Sequence, residues 1–320
     1  MLRERPDPVA GDGEVVVKTA AIGLNFADLF VRAGAYPGTP QTPFVPGMEI
    51  SGTVEAVGRG VADLTPGRRV AAVPIFGGHA EKVVLPAARV FPLPDGADFI
   101  EAAAMPVVFL TAWYALRETR VVAGDRLVVT AAAGGVGTAL LQLGRLRAAR
   151  CLALAGSAGK LALCRELGAE AAGTYAEADT ALAGAFGGRA DVVIDAIGGR
   201  LFRRLWRRLD RDGRYALYGF AAASGERGVA KLRAAFELAA MGLVLPYAFV
   251  QSCRTLTGFN LSLLADRTDA LRTAAAEIFD LWKSRQIRPI LGPRFDFDRL
   301  PDAHRALASR GTTGKVVIEV

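Results

Sequence analysis

Apolar and polar positions along this 320-residue chain change their rhythm several times. From Glu14 to Ile22 and from Ile50 to Val57, β-branched residues form short runs. Gly11, Gly13, Pro46, Gly47, Pro66 and Gly67 punctuate the spaces around them, so the first hundred residues predict mainly β-strands. Near Phe99 the texture shifts. Ile100 to Leu116 lacks turn residues apart from Pro106 and predicts a helix, which leads to a strand over Asp125 to Ala131.

Beyond that point, apolar strands alternate with helical stretches. Strands are expected at Arg126 to Thr130, Cys151 to Ala155, Asp191 to Ala196 and Tyr215 to Tyr218. Helices are expected at Leu140 to Arg147, Lys160 to Leu167 and Leu201 to Leu209. This alternation predicts an α/β fold with a doubly wound parallel sheet. The last part returns to mixed character, with helices at Ala270 to Arg285 and Leu300 to Ala308. A terminal strand, Lys315 to Val320, is expected to rejoin the N-terminal β region.

The most apolar stretch, Ala234 to Val250, is broken by Glu237 and Pro246 and falls short of the roughly 20 residues a membrane-spanning helix needs. It reads as buried or pocket-lining. Leu243, Leu245, Tyr247 and Phe249 suit a roof over a flat hydrophobic substrate, or equally a core or dimer-contact helix.

Length favours two domains, since single cores rarely grow beyond about 250 residues. Hydrophobic residues make up 52% and charged residues 22%, which suits an ordered globular chain. The formal charge of +7 raises nucleic acid as a partner. The arginines are dispersed, however, and the densest group, Arg203, Arg204, Arg207 and Arg208, has the spacing of a solvated helix face. With no basic stripe interleaved with aromatics, nucleic acid is not expected. Cys151, Cys164 and Cys253 form no CxxC pair, which argues against a disulfide framework or a cysteine-rich zinc site. Residues Met1 to Val9 do not resemble a targeting signal, and a cytoplasmic location is expected.

The chemistry gathers in the middle. Thr130-Ala131-Ala132-Ala133-Gly134-Gly135-Val136-Gly137-Thr138 follows a strand and opens a helix, as a dinucleotide-binding turn does. Ala131 stands where such a fingerprint usually begins with glycine. About 20 residues further on, at the end of the second strand, a cofactor lacking a 2'-phosphate would need a carboxylate for its ribose. The chain offers Gly156-Ser157-Ala158-Gly159-Lys160 instead, which favours NADPH; the alternative is a solvent-facing lysine at a helix start.

Gly23-Leu24-Asn25-Phe26-Ala27-Asp28, Pro46-Gly47-Met48-Glu49, Ala132 to Gly137 and Thr313-Gly314-Lys315 resemble the quinone oxidoreductase (zeta-crystallin) branch of the medium-chain dehydrogenases. Pro46 to Glu49 and Gly258-Phe259-Asn260-Leu261 look most similar to the vesicle amine transport protein group. The resemblance implies a GroES-like β-rich domain, residues 1–105 with 258–320, and a Rossmann NADPH-binding domain, residues 106–257, with the active cleft between them. Zinc-dependent relatives carry Cys and His where this chain has Asn25 and Met48, and it lacks their cysteine lobe, so no metal is expected. His79 reads as structural and His304 as an ordinary helix residue.

By the same resemblance, Asn25 and Thr111 belong at the nicotinamide end, with Gly134, Gly135 and Val136 at the pyrophosphate. Gly156, Ser157, Lys160 and Tyr175 belong at the adenosine phosphate, though Tyr175 could equally be a core aromatic. Gly219, Gly258, Phe259 and Asn260 run along the nicotinamide ribose, and Lys315 closes the cleft. The implied activity is hydride transfer from NADPH to a quinone or to the C=C of an α,β-unsaturated carbonyl compound, with Asn25 or Tyr36 donating a hydrogen bond to the enolate. The substrate would be a small hydrophobic molecule and the assembly a homodimer. The alternatives are an enoyl reductase for carrier-bound biosynthetic substrates, and a cofactor-binding structural or lipid-associated protein with little catalysis.

Overall fold

The computed structural model describes residues 3–223 and 229–320. The chain divides into two compact units, Met1–Leu110 with Leu264–Val320, and Thr111–Leu263. In chain order the first segment contributes strands β1 (Glu14–Leu24), β2 (Ile50–Val57), β3 (Arg69–Ala72), β4 (Lys82–Pro86) and β5 (Val90–Pro92), with helix α1 (Phe26–Arg32) after β1. The expected single helix after Phe99 is two, α2 (Phe99–Ala103) and α3 (Pro106–Glu118). Proline has no amide hydrogen and disfavours helical geometry in the residue before it, so Pro106 starts a helix instead of continuing one.

The middle of the chain runs β6 (Arg126–Thr130), α4 (Gly135–Leu146), β7 (Arg150–Ala155), α5 (Leu161–Glu166), β8 (Ala171–Thr174), α6 (Ala178–Phe186), β9 (Ala190–Asp195), α7 (Gly199–Arg208), β10 (Leu209–Leu217), α8 (Val229–Met241), α9 (Pro246–Ser252) and β11 (Thr255–Gly258). The chain then returns through α10 (Thr268–Lys283), β12 (Leu291–Asp296), α11 (Leu300–Ala308) and β13 (Lys315–Glu319).

The first unit is a mixed seven-stranded sheet ordered β12-β13-β1-β2-β3-β5, with β4 also on β1. β2 lies along one edge of β1, while the other edge is shared: Glu14 to Lys18 pair with β4, and Ala21 to Leu24 pair with β13. This explains why Val15, Val17, Ala21 and Ile22 of β1 are fully buried. The second unit is the expected parallel doubly wound sheet, ordered β11-β10-β9-β6-β7-β8. Its order steps outward from β6 to β8 and then back through β9 to β10. With right-handed crossovers, that puts α4 and α5 on one face and α6 and α7 on the other. Leu182, Phe186, Phe202 and Leu205 of α6 and α7 pack against Val128, Leu152 and Val193 beneath them.

The apolar stretch Ala234 to Val250 is not buried. Leu243 is 87% and Val250 71% exposed, and Leu238, Leu245 and Tyr247 also face out; Met241 and Val244 pack on the core edge, and Phe249 packs on Trp206 at 5.8 Å between ring centroids. Among the described residues no single helix is long and apolar enough to cross a membrane; α8 and α9 pass that test only together, bent by 42° at their break.

Candidate functional site

Every candidate cofactor residue that falls in the second unit, Thr111 apart, lies at or just past the C-terminal end of a parallel strand. This is where open α/β sheets bind ligands. The turn after β6 is tight. Gly134 caps α4 with an extended backbone and no side-chain hydrogen bond to the first helical amides, leaving them to meet an anion. Gly137 is sterically obligatory, because a Cβ there would lie 2.3 Å from the Ala131 carbonyl oxygen and 2.5 Å from Ala132 Cα. Ala131 itself has φ +49, a left-handed conformation in which glycine is more at ease.

At the end of β7, Gly156 faces the ring of Tyr175, whose Cε2 would be 3.8 Å from a Cβ there. Ser157 is exposed, and a 3-10 turn over Ala158–Lys160 carries Lys160, whose partial burial holds its ammonium below the usual lysine range. No carboxylate is present between Gly156 and Lys160. Gly219 follows β10 and packs on Ala196, where a Cβ would meet its carbonyl oxygen at 2.8 Å. Phe259, just past Gly258 at the end of β11, stacks on Tyr218 at 6.1 Å and leans on Tyr114 at 4.8 Å. Asn260 Oδ1 accepts the amide and hydroxyl of Ser262. Thr111 is buried at the start of the unit.

Beneath the turn is a residue the sequence reading missed. Asp195, fully buried, accepts hydrogen bonds from Thr130 Oγ1 (2.6 Å), Tyr215 hydroxyl (2.7 Å), Ile197 N (2.8 Å) and Gly198 N (3.0 Å). Thr130 Oγ1 in turn accepts the Ala196 amide at 2.9 Å. One carboxylate thus ties together the ends of β6, β9 and β10. The available signal was an acid closing the apolar run Ala190 to Asp195.

The first unit holds a second buried knot. Lys315 Nζ, on a residue 3% exposed, lies 2.5 Å from Glu49 Oε2 and donates to Asn25 Oδ1 at 2.5 Å. Asn25 Nδ2 donates to Glu49 Oε2 (3.1 Å) and Gly23 O (3.3 Å), and Glu49 Oε1 accepts the Val107 amide at 2.7 Å. Gly23 has to be glycine, since a Cβ would fall 2.0 Å from Ala103 O and 2.8 Å from Glu49 Oε2. Asp28 Oδ2 accepts the Asn25 amide at 2.7 Å, while its Oδ1 is buried without a hydrogen-bond partner. Burial pushes the Asp28 carboxyl up to about 7, against the Asn25 hydrogen bond and the Lys315 charge.

Asn25 and Lys315 are therefore engaged with each other and with Glu49, a residue of the Pro46 to Glu49 motif to which the sequence reading gave no site role. Tyr36 is half-buried in the bend after α1, where its carbonyl accepts the Thr39 hydroxyl at 2.6 Å.

The histidine reading needs correction. His304 is not an ordinary helix residue: it is 5% exposed and packs edge-on to His79, with ring centroids 5.5 Å apart. Both His79 nitrogens and His304 Nδ1 are buried without hydrogen-bond partners. Burial drives His79 down to about 3 and His304 to about 4.

A β-rich unit completed by both ends of the chain, with a Rossmann sheet inserted between them, is the architecture of the medium-chain dehydrogenases. Residues 11–95 match the alcohol dehydrogenase GroES-like domain, and residues 167–318 match a zinc-binding dehydrogenase domain. The chain is 32% identical to quinone oxidoreductase-like protein 2 of Bos taurus over 96% of its own length and 85% of that protein. It is 31% identical to the synaptic vesicle membrane protein VAT-1 homolog of Rattus norvegicus, over 99% and 80%. The quinone oxidoreductase of Thermus thermophilus, whose structure was also solved in complex with NADPH, superposes with a TM-score of 0.83 at 38% identity, covering 100% of this chain and 96% of that one. The chain belongs to the quinone oxidoreductase-like branch of the medium-chain dehydrogenase/reductase family. Among the described residues, no group of three or more His, Cys, Asp or Glu is placed to hold a metal ion.

Proposed function

We propose that this protein is a zinc-independent reductase that uses NADPH to reduce a quinone or the C=C of an α,β-unsaturated carbonyl compound. The observation that carries the proposal is the pair of strand ends at β6 and β7. An uncapped helix N-terminus with an obligatory Gly137 suits a pyrophosphate, and a corner with Ser157 and Lys160 but no acid suits an adenosine 2'-phosphate. The NADPH complex of the Thermus thermophilus relative agrees.

Bound there, the nicotinamide would supply the hydride, and the chain's own residues bind, orient and handle the proton. Asn25 is a positioning residue in this reading, because its carboxamide is committed to Glu49, Gly23 and Lys315. Lys315 brings its ammonium to Asn25 and Glu49, the neighbourhood in which zinc-dependent relatives keep a metal, and this supports metal independence. The Tyr36 hydroxyl is assigned the enolate hydrogen bond, with solvent completing protonation. We also assign a homodimer formed along the edge strand β11 and the exposed Leu243, Leu245, Tyr247 and Val250 beside it in the chain.

The test is NADPH and NADH oxidation by chelator-treated protein across quinones, enones and enoyl thioesters. Turnover with NADPH that survives chelation supports the reading; turnover that requires added zinc, or that prefers NADH, overturns it. Light scattering of the purified protein reads the mass of the assembly.

A further inference from the structure

The arginines expected to form a solvated helix face are on α7, with Arg203, Arg207 and Arg208 exposed, and they share a common hollow. Arg200, Arg203, Arg204, Arg207 and Arg208 of α7, together with Arg189, line one concavity of about 560 Å³, with a single carboxylate, Asp179, among them. That carboxylate is already used: it accepts from Arg204 Nε at 2.6 Å and Arg208 Nε at 2.9 Å. Arg204 spends its remaining nitrogens on the carbonyls of Tyr175 and Ala176, and so belongs to the wall. Arg189 donates to the Arg207 carbonyl at 3.3 Å, and Arg200 lies over the Phe236 ring at 4.7 Å. Among the described residues, the guanidinium groups of Arg203 and Arg207 have no carboxylate within ion-pair distance.

Six guanidinium groups around one shared carboxylate leave a net positive potential that attracts an anion from solution. A guanidinium presents paired N–H groups that match phosphate oxygens bidentately. The hollow is broad and open to solvent, and its volume falls in the range of small-molecule sites, roughly 300 to 1,000 Å³. α7 lies on the opposite face of the sheet from α4, which carries the dinucleotide turn, and it approaches the cofactor strand ends where Arg204 reaches the Tyr175 and Ala176 carbonyls past β8.

We infer that the α7 concavity is a second anion site, which binds a compact oligophosphate independently of the dinucleotide turn. The site neither needs nor tests the reductase reading.

The experiment is calorimetric titration of the full chain, saturated with NADPH or left free of it, with inorganic tripolyphosphate and with ATP at constant ionic strength. The expected result is one saturable site for tripolyphosphate, unchanged by NADPH. It should be weakened at least tenfold in Arg203→Gln/Arg207→Gln and less in Arg203→Lys/Arg207→Lys, which keeps the charge and loses the fork. Equal affinity for ATP identifies the phosphate chain alone as the determinant, and tighter ATP binding identifies a nucleotide. Three results overturn the inference: heats no larger than with chloride of equal ionic strength, competition between tripolyphosphate and NADPH, or undiminished binding by the glutamine variant. Binding of heparin without tripolyphosphate would likewise reassign the face to a macromolecule.

Discussion

The two buried polar knots do similar mechanical work with different materials. In the Rossmann unit, Asp195 is surrounded by hydroxyl and amide donors and binds three strand ends through neutral partners. In the GroES-like unit, Glu49 is held by a full ammonium, and a second acid, Asp28, lies close enough to feel both charges. The comparison shows how a buried carboxylate can be accommodated. Several neutral donors hold one carboxylate from many sides, whereas one counter-charge holds the other, beside Asp28, whose carboxyl burial pushes up to about 7.

Substitution of the counter-charge should have the largest effect. Lys315→Met leaves Glu49 buried and unpaired, at a cost of about 3–5 kcal/mol, and Lys315→Met/Glu49→Leu should recover much of that loss. Thermal melts of the two variants check both halves. Asp195→Ala strands its hydroxyl and amide donors and is expected to cost about 2–4 kcal/mol, with weaker NADPH binding because the turn above it loosens. An Asp195→Ala protein that melts like the parent would remove the parallel between the knots.

Acidity separates the units further. The folded Asp28 keeps a proton that the unfolded chain releases at an ordinary carboxyl value of 3.8, so its contribution is present in acid and lost as pH rises through about 7. Asp28→Asn should therefore stabilise the protein at pH 8 relative to pH 5, in urea unfolding followed at both pH values. The histidine pair has the opposite sign. Both are neutral when folded, so their contribution is intact above 6.5 and drains as pH falls toward about 4 and then about 3. His79→Phe/His304→Leu should retain more of its neutral-pH stability at pH 5 than the parent does. The smallest effect is functional: Lys160→Ala should raise KM for NADPH roughly tenfold, about 1.4 kcal/mol, and leave NADH untouched.

Local pattern carried the second unit well. Runs such as Leu127 to Val129 and Val192 to Ile194 are short, apolar and bounded by turns, and they became the central strands β6 and β9. The glycine turn after β6 was legible because Gly137 is a local steric requirement. What stayed hidden was long-range. Lys315 meets Asn25 across 290 positions, and no periodicity records that meeting. His79 and His304 looked unrelated for the same reason. The exposed segment Ala234 to Val250 misled differently: apolar composition signals burial, but it does not say whether the cover comes from the same chain.

β13 lies inside its sheet, between β12 and β1, with Ala21 paired to Glu319. During synthesis, β1 therefore waits with half of one edge open until β13 has been made, whereas the segment Thr111–Leu263 is contiguous and can assemble earlier. The order of completion is middle first and N-terminal unit last, with Lys315 arriving as the closing piece.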